Sequence, residues 1–169
     1  GGIGEAQNID GKNFEIIQKL REELEGIGKK VPASQPLLDA NFTKTNIQNQ
    51  LQTGNFSAIH LKTHGEFSSD PDETYIVAYK QLLKAQDIAN LIETETQQSN
   101  NIELLVLSAC ETASGDNRAV LGLAGIAVRA GARSTLSTLW EAQDAPNTEL
   151  MLKFYEELSK PGTTRAKAL

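Results

Sequence analysis

The sequence contains few of the residues on which several functional classes depend. It has one cysteine, two histidines and one tryptophan in 169 residues, and aromatic residues make up only 5%. A single cysteine cannot form an internal disulfide, so a reducing, cytoplasmic setting is expected. One cysteine and two histidines do not offer a closed zinc set, so no metal site is predicted. The glycines lack the spacing of nucleotide-binding loops, and no cofactor is predicted.

Positive charge and long apolar runs are also scarce. The formal net charge is −6, whereas binding to a phosphate backbone requires clustered lysine and arginine. No stretch approaches the ~18 apolar residues of a membrane span, and the N-terminus lacks the pattern of a secretory signal. We therefore expect neither a nucleic-acid partner nor a membrane partner.

The length and composition fit one globular domain. Hydrophobic residues make up 39% and charged residues 22% of the chain, which is ordinary for a globular protein. Nothing in residues 1–12 indicates a strand, so we interpret them as a tag or an irregular segment, followed by a domain over residues 13–169. The last four residues resemble a helix that is interrupted, and the chain is expected to be a fragment of a longer protein.

Helical and strand patterns alternate along the chain. Apolar spacing predicts helices over residues 13–25, 43–53, 87–92, 118–130 and 148–158, and strands over 56–63, 75–79, 104–107 and 134–139. The charged face of the first helix, which includes Glu23, is predicted to face solvent. Residues 65–74 and 93–101 are predicted to be connections. This alternation predicts an α/β domain with layers of helices around a mainly parallel central sheet.

Chemically capable side chains follow two of the predicted strands. Cys110 comes after the apolar run Leu104–Leu107, and His64 and Gly65 come after the strand over residues 56–63. Ligands and chemistry gather at the carboxyl ends of strands in an open α/β sheet, and a cysteine nucleophile needs a base to become a thiolate. The N–H groups of Gly65 and Cys110 could form an oxyanion hole. The alternative is that Cys110 is a buried structural residue, as most free cysteines are.

Four segments in this order resemble the CHAT domain family, a caspase-like family commonly found after tetratricopeptide repeats. The segments are His60-Leu61-Lys62-Thr63-His64-Gly65-Glu66-Phe67, Leu107-Ser108-Ala109-Cys110-Glu111-Thr112, Gly122-Leu123-Ala124 with Ala130-Gly131-Ala132-Arg133-Ser134, and Ser137-Thr138-Leu139-Trp140. His64 precedes Cys110 by 46 positions, close to the roughly 50-residue interval of caspases. Two features depart from the family pattern: no strand is evident before the first helix, and the acidic stretch after the tryptophan is reduced to Asp144.

The resemblance implies a caspase-like layered α/β/α domain that acts as a cysteine endopeptidase. It implies His64 as the general base, Cys110 as the nucleophile toward a peptide carbonyl, and the N–H groups of Gly65 and Cys110 as the oxyanion hole. The expected partners are a peptide or protein substrate and a fused tetratricopeptide-repeat or sensor module that regulates the domain. Two alternatives stay open at this stage: a non-catalytic interaction module with an inactive or occluded dyad, and another acyl transfer on the same dyad.

Three acidic residues are candidate substrate contacts. Asp144 is predicted to contact a basic P1 side chain, the substrate residue just before the cleaved bond. The alternative is that Asp144 caps the last helix. Glu111 and Asp116 could bind substrate from the loop that follows the nucleophile, or could be solvated. His60 is predicted to be a satisfied core histidine rather than a catalytic one, and Trp140 to be a core residue rather than a pocket residue.

Overall fold

The computed structural model describes residues 1–32, 34–68, 70–97, 102–108, 128, 131–137 and 144–169. The helices are α1 (Leu20–Lys30), α2 (Lys44–Thr53), α3 (Ala85–Gln97), α4 (Asp144–Leu158) and α5 (Arg165–Ala168), and a 3-10 turn covers Asp39–Asn41. The strands are β1 (Gln7–Ile9), β2 (Lys12–Phe14), β3 (Ala58–Leu61), β4 (Gly65–Glu66), β5 (Tyr75–Ala78), β6 (Gln81–Lys84), β7 (Leu104–Leu107) and β8 (Thr135–Ser137).

A parallel sheet in the order β3-β7-β8 forms the centre of the molecule. Strand β7 is buried along its whole length, as expected for an apolar strand that is covered on both faces. Its two sets of alternating side chains enter different apolar clusters. Leu105 and Leu107 pack with residues of α2 and α3, whereas Leu104 and Val106 pack with residues of α1 and α4. The predicted layered α/β fold with a parallel sheet is therefore confirmed.

A second sheet is antiparallel, in the order β4-β5-β6. The predicted loop over residues 65–74 is wrong at its start, because Gly65 and Glu66 pair with Ile76 and Tyr75. Strand β6, which the sequence analysis did not predict, pairs with β5. The two-strand hairpin β1–β2 packs Ile9 and Phe14 against β5.

The N-terminal predictions are wrong in two respects. Residues 1–12 are not irregular, since Gln7–Ile9 forms a strand that pairs with Lys12–Phe14. The first helix begins at Leu20 and ends at Lys30 rather than covering 13–25. The apolar spacing that suggested the earlier start spans the end of the hairpin, a connection and the first turn of α1.

The middle and C-terminal helices agree better with the sequence. Helix α2 begins where it was predicted, and the Thr43 side chain accepts a hydrogen bond from the Asn46 N–H at 3.2 Å, as an N-cap does. Helix α3 continues to Gln97 into the predicted connection, and α4 begins at Asp144, four residues before its predicted start. The predicted helix 118–130, apart from Val128, lies outside the described residues. Among the helices that the structure describes, none has the length and apolar character needed to cross a membrane.

Candidate functional site

Strands β3 and β7 bring the two candidate segments to the same edge of the central sheet. They are parallel neighbours with Leu61 opposite Leu107, and the Ser108 N–H donates to the Leu61 carbonyl at 2.8 Å. His64 and Cys110 each come three positions after this paired level of the sheet. Cys110 itself, like Glu111, Asp116 and Trp140, lies outside the described residues.

The His64 imidazole is held by the segment that follows the hairpin. Its Nε2 lies 2.8 Å from the Glu15 carbonyl oxygen, and its ring centroid lies 5.8 Å from that of Phe14. A carbonyl oxygen can only accept a hydrogen bond, so Nε2 carries the proton in this arrangement. The neutral ring then has its lone pair on Nδ1, which is the atom that could accept a proton.

Gly65 presents its N–H away from the antiparallel sheet. The Val77 N–H donates to the His64 carbonyl at 2.8 Å, and the next pair along the ladder is Gly65 opposite Ile76. Because hydrogen-bonded and non-hydrogen-bonded pairs alternate in an antiparallel ladder, the Gly65 N–H points away from β5. A Cβ at this position would lie 3.0 Å from the Tyr75 carbonyl oxygen, so glycine suits this close approach of two strands.

A buried polar network lies beneath the same edge of the sheet, on the face covered by α1 and α4. Its centre is Glu23, whose side chain is 0% exposed, although the sequence analysis placed this residue on a solvated face. Four side chains donate to the carboxylate: His60 and Ser108 to Oε1 at 2.9 and 2.6 Å, and Lys62 and Thr148 to Oε2, both at 2.8 Å. Burial of the carboxylate is tolerated because it is fully hydrogen-bonded and paired with a charge.

Lys62 connects this network to Asp144. Its ammonium, also 0% exposed, lies 2.6 Å from Asp144 Oδ1 and 2.8 Å from Glu23 Oε2. Asp144 Oδ2 accepts the Lys19 backbone N–H at 2.7 Å, directly before α1. Asp144 is the first residue of α4, where the helix dipole favours a negative charge. The proposed contact of Asp144 with a basic substrate side chain stays a prediction, and this carboxylate already has two partners within the protein.

The environment of the network shifts the pKa values of its members. Burial alone would raise the pKa of Glu23, but the hydrogen bond from His60 and the charge of Lys62 outweigh it and lower that pKa to about 2. Burial lowers the pKa of His60, with Glu23 opposing the change, and it raises the pKa of Tyr155. His60 is therefore neutral at pH 7, with Nε2–H donating to Glu23 and Nδ1 accepting from the Tyr155 hydroxyl at 3.2 Å. This is the satisfied core histidine that the sequence favoured.

Most of this network could not be predicted from the sequence. Its members come from four separate elements, and the separation between Glu23 and Thr148 is 125 positions, so no local pattern could connect them. One signal was present: Lys62 is a charged residue within the predicted strand over residues 56–63, and a buried charge needs a partner.

A groove of about 360 Å3 lies elsewhere, along the outer edge of β3. It is lined by residues of that strand, of α1 and α2, and of the connection between those helices, with Phe56, Leu51 and Leu24 among them. Neither His64 nor Gly65 lines it. The groove therefore lies apart from the described part of the candidate dyad, although His60 and Tyr155 of the buried network contribute to its lining.

The fold and the two strand ends define a layered α/β domain of the caspase-like class. The family model for the CHAT domain matches residues 3–169. The chain belongs to the CHAT domain family, a caspase-like family, and at that level it is a peptidase-like domain. No curated protein matches the chain.

Proposed function

We propose that this chain is a cysteine peptidase domain in which His64 and Cys110 form the catalytic dyad. The observation that carries the proposal is the register of the central sheet, in which Leu61 lies opposite Leu107. His64 and Cys110 each follow one of these paired residues by three positions in the sequence, and this equal spacing supports a dyad formed at that end of the sheet. The membership of a caspase-like family supports the same reaction class.

The geometry of His64 supports its role as the general base. Its Nε2 is occupied by the Glu15 carbonyl, so Nδ1 accepts the thiol proton of Cys110. The resulting thiolate attacks the scissile carbonyl and forms a tetrahedral intermediate. Gly65 directs its N–H away from β5, and with the Cys110 N–H it donates to the oxyanion.

The remaining steps return the enzyme to its starting state. His64 gives the proton to the leaving amine as the carbon–nitrogen bond breaks, which leaves a thioester on Cys110. A water molecule, deprotonated by His64, attacks the thioester and releases the acid with recovery of the thiol. Asp144, Glu111 and Asp116 are the candidates for substrate contacts, and a fused repeat or sensor module is the candidate regulator.

The dyad can be tested by labelling Cys110 with electrophilic peptide probes that differ in the residue before the reactive group. Labelling by the best probe should fall by about 10²-fold or more in His64→Ala, because a general base contributes roughly that factor. Cys110→Ser gives the background. Lys30→Met is the matched control, since Lys30 forms a partly exposed ion pair with Glu156 on the α1 and α4 surface.

Labelling at the rate of a free thiol, equal in the native chain and in His64→Ala, would falsify the dyad. That result would favour a non-catalytic interaction module. If the dyad operates, the preferred probe tests the acidic candidates, because a basic preference that is lost in Asp144→Asn but kept in Glu111→Gln assigns the contact to Asp144.

A further inference from the structure

Residues 4–17 form a loop that contains the β1–β2 hairpin and returns beside His64. The two ends of this loop are closed by a hydrogen bond, in which the Ile17 N–H donates to the Gly4 carbonyl at 3.1 Å. The Gly4 N–H in turn donates to Asp39 Oδ1 at 2.9 Å. Glu15, whose carbonyl accepts from His64 Nε2, lies between the hairpin and this closure. The position of that carbonyl therefore depends on where the hairpin is held.

The hairpin is held on the antiparallel sheet by Lys12, Glu66 and Tyr75, which we call the Lys12 anchor. Lys12 Nζ donates to Glu66 Oε2 at 2.9 Å and to the Tyr75 hydroxyl at 3.1 Å. The Tyr75 hydroxyl donates to the same carboxylate oxygen at 2.8 Å, and Lys12 Nζ lies 4.8 Å from the centroid of the Tyr75 ring. Glu66 is two positions after His64, so the anchor connects the hairpin to the histidine's own segment.

Phe14 fills the space between the anchor and the imidazole. Its ring meets the Tyr75 ring edge-on at 6.3 Å between centroids, and it meets the His64 ring at 5.8 Å. Only 8% of Phe14 is exposed. One side chain of the hairpin thus touches both the anchor and the candidate base, and the next residue supplies the carbonyl that binds Nε2.

We propose that Lys12 and Phe14 are positioning residues for His64. The Lys12 anchor holds the hairpin, the hairpin holds the Glu15 carbonyl, and the carbonyl keeps the imidazole with its proton on Nε2 and its lone pair on Nδ1. The catalytic meaning of this arrangement rests on the proposed function. The state of the ring does not, and it can be measured in the absence of any reaction.

The test uses NMR of the ring nitrogens in ¹⁵N-labelled protein above pH 7.5. The chain has only two histidines, and His64→Ala assigns their signals. His60 is an internal reference, because it is buried between Glu23 and Tyr155 on another face of the fold. We expect the native His64 to show the pattern of an Nε2–H tautomer. Lys12→Met should move the nitrogen signals of His64 toward those of an imidazole that exchanges freely between its tautomers, and it should leave the signals of His60 unchanged.

Three further variants refine the test. Lys12→Arg should restore the native signals, since it keeps the charge and the donors, and Lys30→Met should leave both histidines as in the native chain. Phe14→Leu keeps apolar packing against Ile9 but removes the ring, so it should move the His64 signals as Lys12→Met does. Labelling of Cys110 should slow about two- to fivefold in Lys12→Met, the range for one half-exposed ion pair.

Several outcomes would overturn the proposal: no Nε2–H tautomer in the native chain, His64 signals unchanged in both Lys12→Met and Phe14→Leu, or equal movement of both histidines in Lys12→Met. A selective response of His64 combined with labelling that does not depend on His64 supports the positioning role and rejects the dyad. The two proposals can therefore fail separately.

Discussion

At the scale of single residues, the domain holds two opposite charges in its interior. Glu23 and Lys62 are both fully buried and paired, and Asp144 shares the ammonium. A buried ion pair contributes little net stability compared with apolar residues, because desolvation offsets the attraction. Removal of one partner is a different matter, since it leaves the remaining charge buried and unpaired.

This asymmetry predicts a large effect of Lys62→Met. The change leaves Glu23 and Asp144 without their cation, and the free energy of unfolding should fall by about 3–5 kcal/mol in urea titrations. Lys30→Met is the matched control, because the Lys30–Glu156 pair lies at the surface, where solvent screens the attraction and the pair contributes little to stability. Equal effects of the two changes would contradict the full burial of the Lys62 ammonium.

The same residues predict loss of stability in acid. Burial lowers the pKa of His60 below its ordinary 6.5, so the unfolded chain takes up a proton first and stability falls as the pH drops below about 6.5. The pKa of Glu23 is lowered from 4.5 to about 2. Its contribution, up to about 3 kcal/mol, is present above pH 4.5 and is lost as the pH falls from 4.5 toward 2.

Unfolding free energies measured from pH 7.5 to pH 3 would check both windows. Glu23→Gln should flatten the slope below pH 4.5, and His60→Gln should flatten the slope just below pH 6.5, whatever their effect on stability at neutral pH. Slopes that are the same in the native chain and both variants would assign the acid sensitivity to other groups.

At the scale of elements, the sequence predicted those features that depend on a few neighbouring residues. The apolar run Leu104–Leu107 and the cap at Thr43 were predicted because each follows from a few neighbouring residues. The β1–β2 hairpin was missed because its strands are three residues long and largely polar, which gives little periodicity. Its turn had a usable signal: Asp10-Gly11 adopts positive φ angles of 52° and 79°, and Asp-Gly is a preferred pair for such two-residue turns.

The turn makes Gly11 a sensitive position. Alanine at a positive φ is strained by roughly 1–2 kcal/mol, and nothing lies within 4 Å of a Cβ there, so the cost comes from the backbone alone. Gly11→Ala should therefore increase amide hydrogen exchange in the hairpin. Gly11→Asn should do so much less, because asparagine tolerates this conformation. Matching exchange rates in the two variants would contradict the backbone explanation.

At the scale of the whole molecule, the sequence predicted the layers but not the contacts between them. Helix periodicity indicates which face of α1 is apolar. It does not indicate that Glu23 on that helix meets Lys62 of the segment after β3 and Thr148 of α4. The candidate site has the same limit. Its histidine was predicted from the strand end, whereas the Glu15 carbonyl that orients the ring belongs to a segment 49 positions away.

The packing of α1 against α4 offers a test of how these layers hold the network. A Cβ at Gly26 would lie 2.4 Å from Leu152 Cδ2, so Gly26→Val should push the two helices apart and destabilise the fold by about 1–3 kcal/mol. The same displacement would separate Glu23 from Thr148, because these residues lie on the same pair of helices. The acid-sensitive slope below pH 4.5 should therefore weaken together with stability. Leu152→Ala alone leaves a gap between the helices. Added to Gly26→Val, it should recover part of the lost stability and part of the slope, because it removes the side chain that meets the new valine. Simple additivity of the two changes would show that the helices accommodate the valine without moving apart.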